Sequence, residues 1–270
     1  MKRASALSLR GLRPKAAFFS FGSCEGCQLQ VLSVEDVLLE LVDALEIVNF
    51  REAIDERRDD YDVAFVEGSI VRPEDIEEIQ QIRRRAKILV AIGGCACLGG
   101  VNAIRNRRSP TEIAKEVYGG RQDGVFKTLA EAAPIGSVVQ VDYEIRGCPI
   151  DRTEFLESVR SLLAGTTPTV PPFAVCVSCT MRGTACLLGR GIPCLGSVAR
   201  AGCYAVCPAY GAPCEACRGF HDAPNFEALG EAFFRHEMPR TLAAEKLQLF
   251  NNFKDIREQW EKHLPSPSIT

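Results

Sequence analysis

Eight of the thirteen cysteines in this 270-residue chain lie between Cys176 and Cys217, interleaved with Pro193, Pro208 and Pro213. No helical or strand period survives between cysteines spaced by glycines and prolines, so the stretch cannot be expected to build a hydrophobic core of its own. Disulfides or metal must hold it instead. Disulfide frameworks belong to small secreted chains. This chain is larger, opens Met1-Lys2-Arg3 without an apolar signal core, and has no twin arginines in its first twenty residues. It therefore reads as a cytoplasmic, metal-bearing protein.

A composition 46% apolar suits a globular protein with a real core, and a net charge of −3 leaves no electrostatic footprint for nucleic acid. No run of eighteen apolar residues is present, so the sequence predicts no membrane span.

Along the chain, short apolar strands alternate with helical patterns. Residues 15–21 read as a buried strand, 22–27 as a turn and 28–45 as a helix. Strands follow at 46–50 and 62–67, then a helix at 73–85 begun by Pro73, and a strand at 87–92. The latter runs into a loop, Gly93 to Gly100, whose four glycines permit close backbone approach to something bulky. A further strand is expected at 137–141, and a helix N-capped by Asp151 extends to about Leu163.

This alternation predicts an α/β fold with a mainly parallel sheet. Ligands of such sheets sit beyond the carboxyl ends of the strands, where Cys24, Cys27, Cys95 and Cys148 all fall. Composition shifts to Gly, Thr and Pro at 165–172, dividing a first domain (15–165) from a second (166–270) that is irregular and ends in amphipathic helices from about Asn225 to His263.

Cys24-x2-Cys27 alone also suits zinc or thioredoxin-like chemistry. Four thiolates in glycine-rich loops suit a cuboidal iron-sulfur cluster better, since a cluster several Å across needs separated ligands and small residues around it. The remaining spacings form two sets of four, Cys176-x2-Cys179-x6-Cys186-x7-Cys194 and Cys203-x3-Cys207-x6-Cys214-x2-Cys217. Two zinc sites are arithmetically possible there, but a third converging quartet makes a chain of redox centres the more economical account. One cysteine is left over, Cys95 or Cys97, and spacing does not say which.

From Phe18 to Gly219 the chain resembles the small, electron-transferring subunit of nickel-iron hydrogenases. The segments Ser23-Cys24-Glu25-Gly26-Cys27-Gln28-Leu29-Gln30, Val66-Glu67-Gly68-Ser69-Ile70, Gly94-Cys95-Ala96-Cys97-Leu98-Gly99-Gly100 and Gly147-Cys148-Pro149 are similar to its signatures, in order. The resemblance implies a flavodoxin-like domain holding a proximal 4Fe-4S cluster on Cys24, Cys27, Cys95 and Cys148, which leaves Cys97 as the extra cysteine. It also implies a medial 4Fe-4S cluster on Cys203, Cys207, Cys214 and Cys217, and a distal one on Cys176, Cys179, Cys186 and Cys194. Better-known periplasmic and membrane-bound members use one histidine in the distal set and three cysteines in the medial set. Four thiolates in each resemble the cytoplasmic soluble branch, including sulfhydrogenase-like and viologen-reducing enzymes.

Expected partners are therefore a large subunit with the nickel-iron site, and iron-sulfur or flavin subunits that reduce NAD(P), ferredoxin or another acceptor. H2 chemistry itself is not expected on this chain, and no catalytic residue is assigned. A proximal-cluster subunit of a complex-I-like oxidoreductase and a zinc-stabilised scaffold without redox function are the alternatives. Glu67 and Glu25, beside the expected cluster edge, read either as carboxylates that support the cluster's ligands or a proton path, or as loop-stabilising carboxylates. His221, His236 and His263 lie outside every cysteine set and read as surface or packing residues. Cluster binding is expected to hold the chain folded beyond about Pro172.

Overall fold

The computed structural model describes residues 13–33, 43–119 and 127–265. Five strands, β1 (Lys15–Ser20), β2 (Glu46–Asn49), β3 (Val63–Glu67), β4 (Ile88–Ile92) and β5 (Tyr143–Ile145), form one sheet in the order β2-β1-β3-β4-β5. Every neighbouring pair is parallel. That order is the flavodoxin-like one, and its direction reverses between β1 and β3, opening a crevice at their carboxyl ends. β3 and β4 are buried along their whole length, as continuous apolar runs in the middle of a parallel sheet should be.

Among the described residues, the first unit includes the helices α1 (Gly26–Leu32), α2 (Pro73–Arg85), α3 (Gly93–Leu98), α4 (Pro110–Tyr118) and α5 (Arg152–Leu163). Phe18 stacks on Phe50 at 4.2 Å and on Phe65 at 4.8 Å, and Phe65 in turn meets Phe155 of α5 at 5.4 Å between ring centres. Phe155, Val159 and Leu162 recur at helical spacing and give α5 the apolar face that covers this cluster. Asp151 caps α5 as expected, accepting the amides of Thr153 and Glu154.

Three expectations change. The strand expected at 137–141 is a turn: the amides of Val138 and Val139 both donate to the Ile135 carbonyl, and β5 begins only at Tyr143. The glycine-rich stretch 93–100 is a short helix rather than a loop, entered through Gly93 at φ +90° and ended at Gly99 at φ +80°. Of the helix expected over 28–45, α1 ends at Leu32, where the Ser33 hydroxyl donates back to the Leu29 carbonyl at 2.8 Å; residues 34–42 lie outside the described ones, and residues 43–44 are helical as expected.

The chain parts between Thr169 and Val170 into two compact units. The second contains α6 (Val175–Met181), α7 (Val206–Ala209), α8 (Phe226–Arg235), α9 (Arg240–Leu247) and α10 (Lys254–Glu261), joined by irregular chain. Asn225 caps α8 by accepting the Ala228 amide at 2.9 Å. Phe226, Leu229, Phe233, Leu247 and Trp260 form a core into which Leu195, Val198 and Ala199 of the cysteine segment are also buried. Side-chain packing thus does reach that segment, contrary to expectation. Its apolar residues are too few to pack among themselves, and their partners come from helices later in the chain.

Candidate metal centres

In the first unit, the loops that follow β1, β3, β4 and β5 are stitched together. Glu67, the last residue of β3, is 2% exposed, and its carboxylate accepts the backbone amides of Cys27 at 3.1 Å and Gln28 at 3.0 Å. The β1 and β3 loops exchange backbone hydrogen bonds between Gly22 and Ser69 at 3.0 and 3.1 Å. The Asn102 side chain, beyond β4, donates to both the Gly22 carbonyl at 2.6 Å and the Ser69 hydroxyl at 2.8 Å. The Gly94 amide donates to the Gly147 carbonyl at 2.6 Å, tying the β4 loop to the β5 loop that carries Cys148.

These ties bring Cys24, Cys27, Cys95 and Cys148 within electrostatic reach of one another. Burial pushes the Cys27 thiol far up, and the charges of Glu67, Cys148 and Cys95 add to the effect against a hydrogen bond from the Ile150 amide. Cys95 is pushed up to about 12, by burial first and then by Cys148, Cys24 and Glu67. Cys148 is raised by burial, Cys24 and Glu67. Four thiolates cannot share this space without a cationic group among them, and the iron of a cluster is such a group.

Glycines make the room. A Cβ on Gly93 would lie 2.4 Å from the Cys27 sulfur, and one on Gly100, at φ +54°, 2.9 Å from the Cys95 sulfur. The residues present therefore fit a 4Fe-4S cluster, with thiols as donors and bare backbone where a cluster needs clearance.

Cys97 lies elsewhere, buried at 6% exposure, with its sulfur 3.5 Å from the Ala91 carbonyl and 3.9 Å from that of Ile145. Glu67 takes the loop-stabilising role by its hydrogen bonds. Glu25, at φ +62°, accepts the Ser20 hydroxyl and pairs with Arg51.

In the second unit, Cys176 is pushed up to about 11 by burial and then by Cys194, Cys179 and Cys186. A Cβ on Gly196 would lie 3.3 Å from the Cys176 sulfur and 3.6 Å from that of Cys194, a second glycine cradle. Cys214 is raised by burial, then by Cys194, Cys217 and Cys203, against the Ala216 amide; Cys207 is raised by burial and then most by Cys203. Left-handed backbone at Tyr204, Ala205 and Ala216 turns the chain beside Cys203 and Cys217. The two sets abut: the Cys214 amide donates to the Cys194 sulfur at 3.2 Å.

Among the described residues no three His, Cys, Asp or Glu side chains converge tightly enough for a single metal ion. His221 is held by the Ser197 carbonyl and the Ala223 amide, and His263 stacks on Phe226, as packing residues. Sequence reasoning missed Asn102 and Gly196. Neither carries a local signal, since each acts on residues brought close only by the fold.

The family described as NADH ubiquinone oxidoreductase, 20 Kd subunit, matches residues 24–162. The chain is 35% identical over 234 residues to sulfhydrogenase 2 subunit delta of Pyrococcus furiosus, covering 84% of this chain and 97% of the relative. It is 32% identical over 240 residues to a subunit of the vhu F420-non-reducing hydrogenase of Methanocaldococcus jannaschii, covering 78% and 83%. A chain of an NAD+-reducing NiFe-hydrogenase in the H2-reduced state matches with a TM-score of 0.55 at 27% identity, over 59% of this chain and 96% of that one. The actinobacterial-type NiFe-hydrogenase of Ralstonia eutropha H16 shares the fold, with a TM-score of 0.54 at 18% identity over 93% and 90%. Among the described residues no helix is long and apolar enough to cross a membrane. The match to the 20 Kd subunit family and the two hydrogenase relatives together identify this chain as a member of that family and, within it, as a small subunit of the group 3 nickel-iron hydrogenases.

Proposed function

We propose that this chain carries electrons through three 4Fe-4S clusters between the nickel-iron site of a large subunit and partner redox subunits. The proximal cluster is assigned to Cys24, Cys27, Cys95 and Cys148, the medial to Cys203, Cys207, Cys214 and Cys217, and the distal to Cys176, Cys179, Cys186 and Cys194. When bound, the clusters supply one-electron transfer. The chain's own residues hold the thiolates apart at fixed positions, exclude water from Cys27 and Cys214, and present amides such as those of Ile150 and Cys214 to ligand sulfurs.

The observation that carries this reading is the contact between Cys194 and Cys214. Electron transfer needs neighbouring centres, whereas two structural zinc sites have no need to touch. The relatives also set aside a complex-I-like subunit, because their similarity covers 84% and 78% of the chain while the family match ends at residue 162. The all-thiolate sets support a place in the cytoplasm. Iron-sulfur or flavin subunits reducing NAD(P), ferredoxin or another acceptor complete the proposed complex.

In the purified complex, Cys95→Ala should lower H2-dependent viologen reduction by roughly tenfold or more. Isotope exchange between H2 and water at the large subunit should persist. Undiminished viologen reduction would contradict an electron-transfer role.

A further inference from the structure

We infer that Asn251, between α9 and α10, is a positioning residue for the medial cluster: it holds the loop from Cys214 to Cys217 in the shape that aims a backbone amide at a ligand sulfur. This deepens the proposed electron-transfer role and rests on the reading that Cys203, Cys207, Cys214 and Cys217 hold a cluster.

The loop Cys214-Glu215-Ala216-Cys217 joins two thiols of the set, and its middle is strained. Ala216 has φ +54°, a left-handed conformation that glycine adopts freely and alanine does not. In that conformation the Ala216 amide donates to the Cys214 sulfur, opposing the rise that burial imposes on that thiol. The Ala216 carbonyl accepts the Gly219 amide at 3.0 Å from within the turn, and the Asn251 Nδ2 group at 3.2 Å from outside it. With the carbonyl fixed on one side of the Ala216 Cα, the direction of the amide on the other side is fixed as well.

Asn251 is itself firmly held. It is fully buried, its amide donates to the Leu247 carbonyl at 3.0 Å, and its carbonyl accepts the Trp260 indole at 3.0 Å. Its Oδ1 atom is buried without a hydrogen-bond partner among the described residues. An apolar side chain would leave no such orphan, so the asparagine is costly here except for the donor it gives to Ala216. Lys246 of α9 pairs with Glu215 at 2.6 Å and so neutralises the loop's one charge, which bears on the Cys207 thiol. Adjacent residues of the loop are thus gripped from the α9 side, by a segment anchored in the core of Phe233, Leu247 and Trp260. A hydrogen bond to a ligand sulfur favours the more negative, reduced cluster and raises its potential. Releasing Ala216 turns its amide away from Cys214 and lowers that potential.

The test is an EPR-monitored redox titration of the purified hydrogenase complex, the medial signal being the one that Cys217→Ser alters. Asn251→Leu removes the donor at similar volume. It should keep about twelve iron atoms per chain and leave the proximal potential unchanged. The medial potential should fall by the equivalent of a tenfold change in its one-electron equilibrium, about 59 mV. Phe233→Ala loosens the same core without touching the loop and should leave the medial potential at the parent's value. Should Asn251→Leu lose iron, Asn251→Ala, which adds no bulk, carries the same expectation. Loss of medial iron from both Asn251 variants, with Phe233→Ala retaining it, would support the positioning role through cluster binding itself. A medial potential equal to the parent's in an Asn251 variant with full iron would overturn the inference. So would an equal potential shift or equal iron loss in Phe233→Ala, which would make the effect one of general core loosening. Absence of iron-sulfur signals in the parent complex would instead overturn the electron-transfer reading itself.

Discussion

The Oε1 atom of Glu67 accepts the backbone amide of Cys27 at 3.1 Å, fixing the first turn of α1 to the end of β3. The same carboxylate takes the Gln28 amide, so one buried charge orients the Cys24–Cys27 segment. Glu67→Ala leaves two buried amides without their acceptor and should destabilise the unit by about 2–5 kcal/mol, readable as a lowered denaturant midpoint. Glu67→Gln keeps an acceptor but removes the charge. It should shift the proximal cluster's reduction potential upward in an EPR titration with the medial and distal potentials unchanged.

Gly93→Ala places a methyl group 2.4 Å from the Cys27 sulfur, at a φ of +90°. The backbone strain alone is about 1–3 kcal/mol. The variant should lose about four iron atoms, those of the proximal cluster, in elemental analysis. Gly196→Ala meets its neighbouring sulfurs at 3.3 and 3.6 Å and has no such strain, so it should retain iron and show only a perturbed distal signal.

Cys95 and Cys97 separate by place. Cys97→Ala should keep the full iron content and cost about 1 kcal/mol for the lost packing over β4 and β5. Cys95→Ala should lose about four iron atoms. Iron loss on changing Cys97 would move the assignment.

Removing the clusters should not unfold the second unit uniformly. Phe226, Phe233, Leu247 and Trp260 lie on α8 to α10 and, although Cys214 also packs into their core, hold one another without a cluster; the Trp260 indole donates to the Asn251 carbonyl at 3.0 Å. Hydrogen exchange after iron chelation should leave α8 to α10 protected, while amides from 176 to 217 exchange at least about tenfold faster, or about 1.4 kcal/mol.

Most of the sheet, and the position of Cys24, Cys27, Cys95 and Cys148 just after strands, were legible because those signals are local. Residues 62–67 and 87–92 are apolar runs with turn residues after them, and each cysteine of the first unit's quartet follows a strand. The 137–141 stretch misled because Val138, Val139 and Val141 have strand propensity, yet tertiary contacts set the strand further on. The Asp142 carboxylate takes the Leu89 amide at 2.8 Å and pairs with Arg83, which fixes the register of Tyr143–Ile145 against β4. The burial of Leu195 and Val198 was invisible for the same reason: their partners lie in helices that no local pattern connects to them.

Iron and acid-labile sulfide per chain, measured on anaerobically purified protein, test the central claim most directly. Three 4Fe-4S clusters require about twelve of each, with broad visible absorption that bleaches on reduction. Zinc in place of iron, with no visible absorption, would contradict the account.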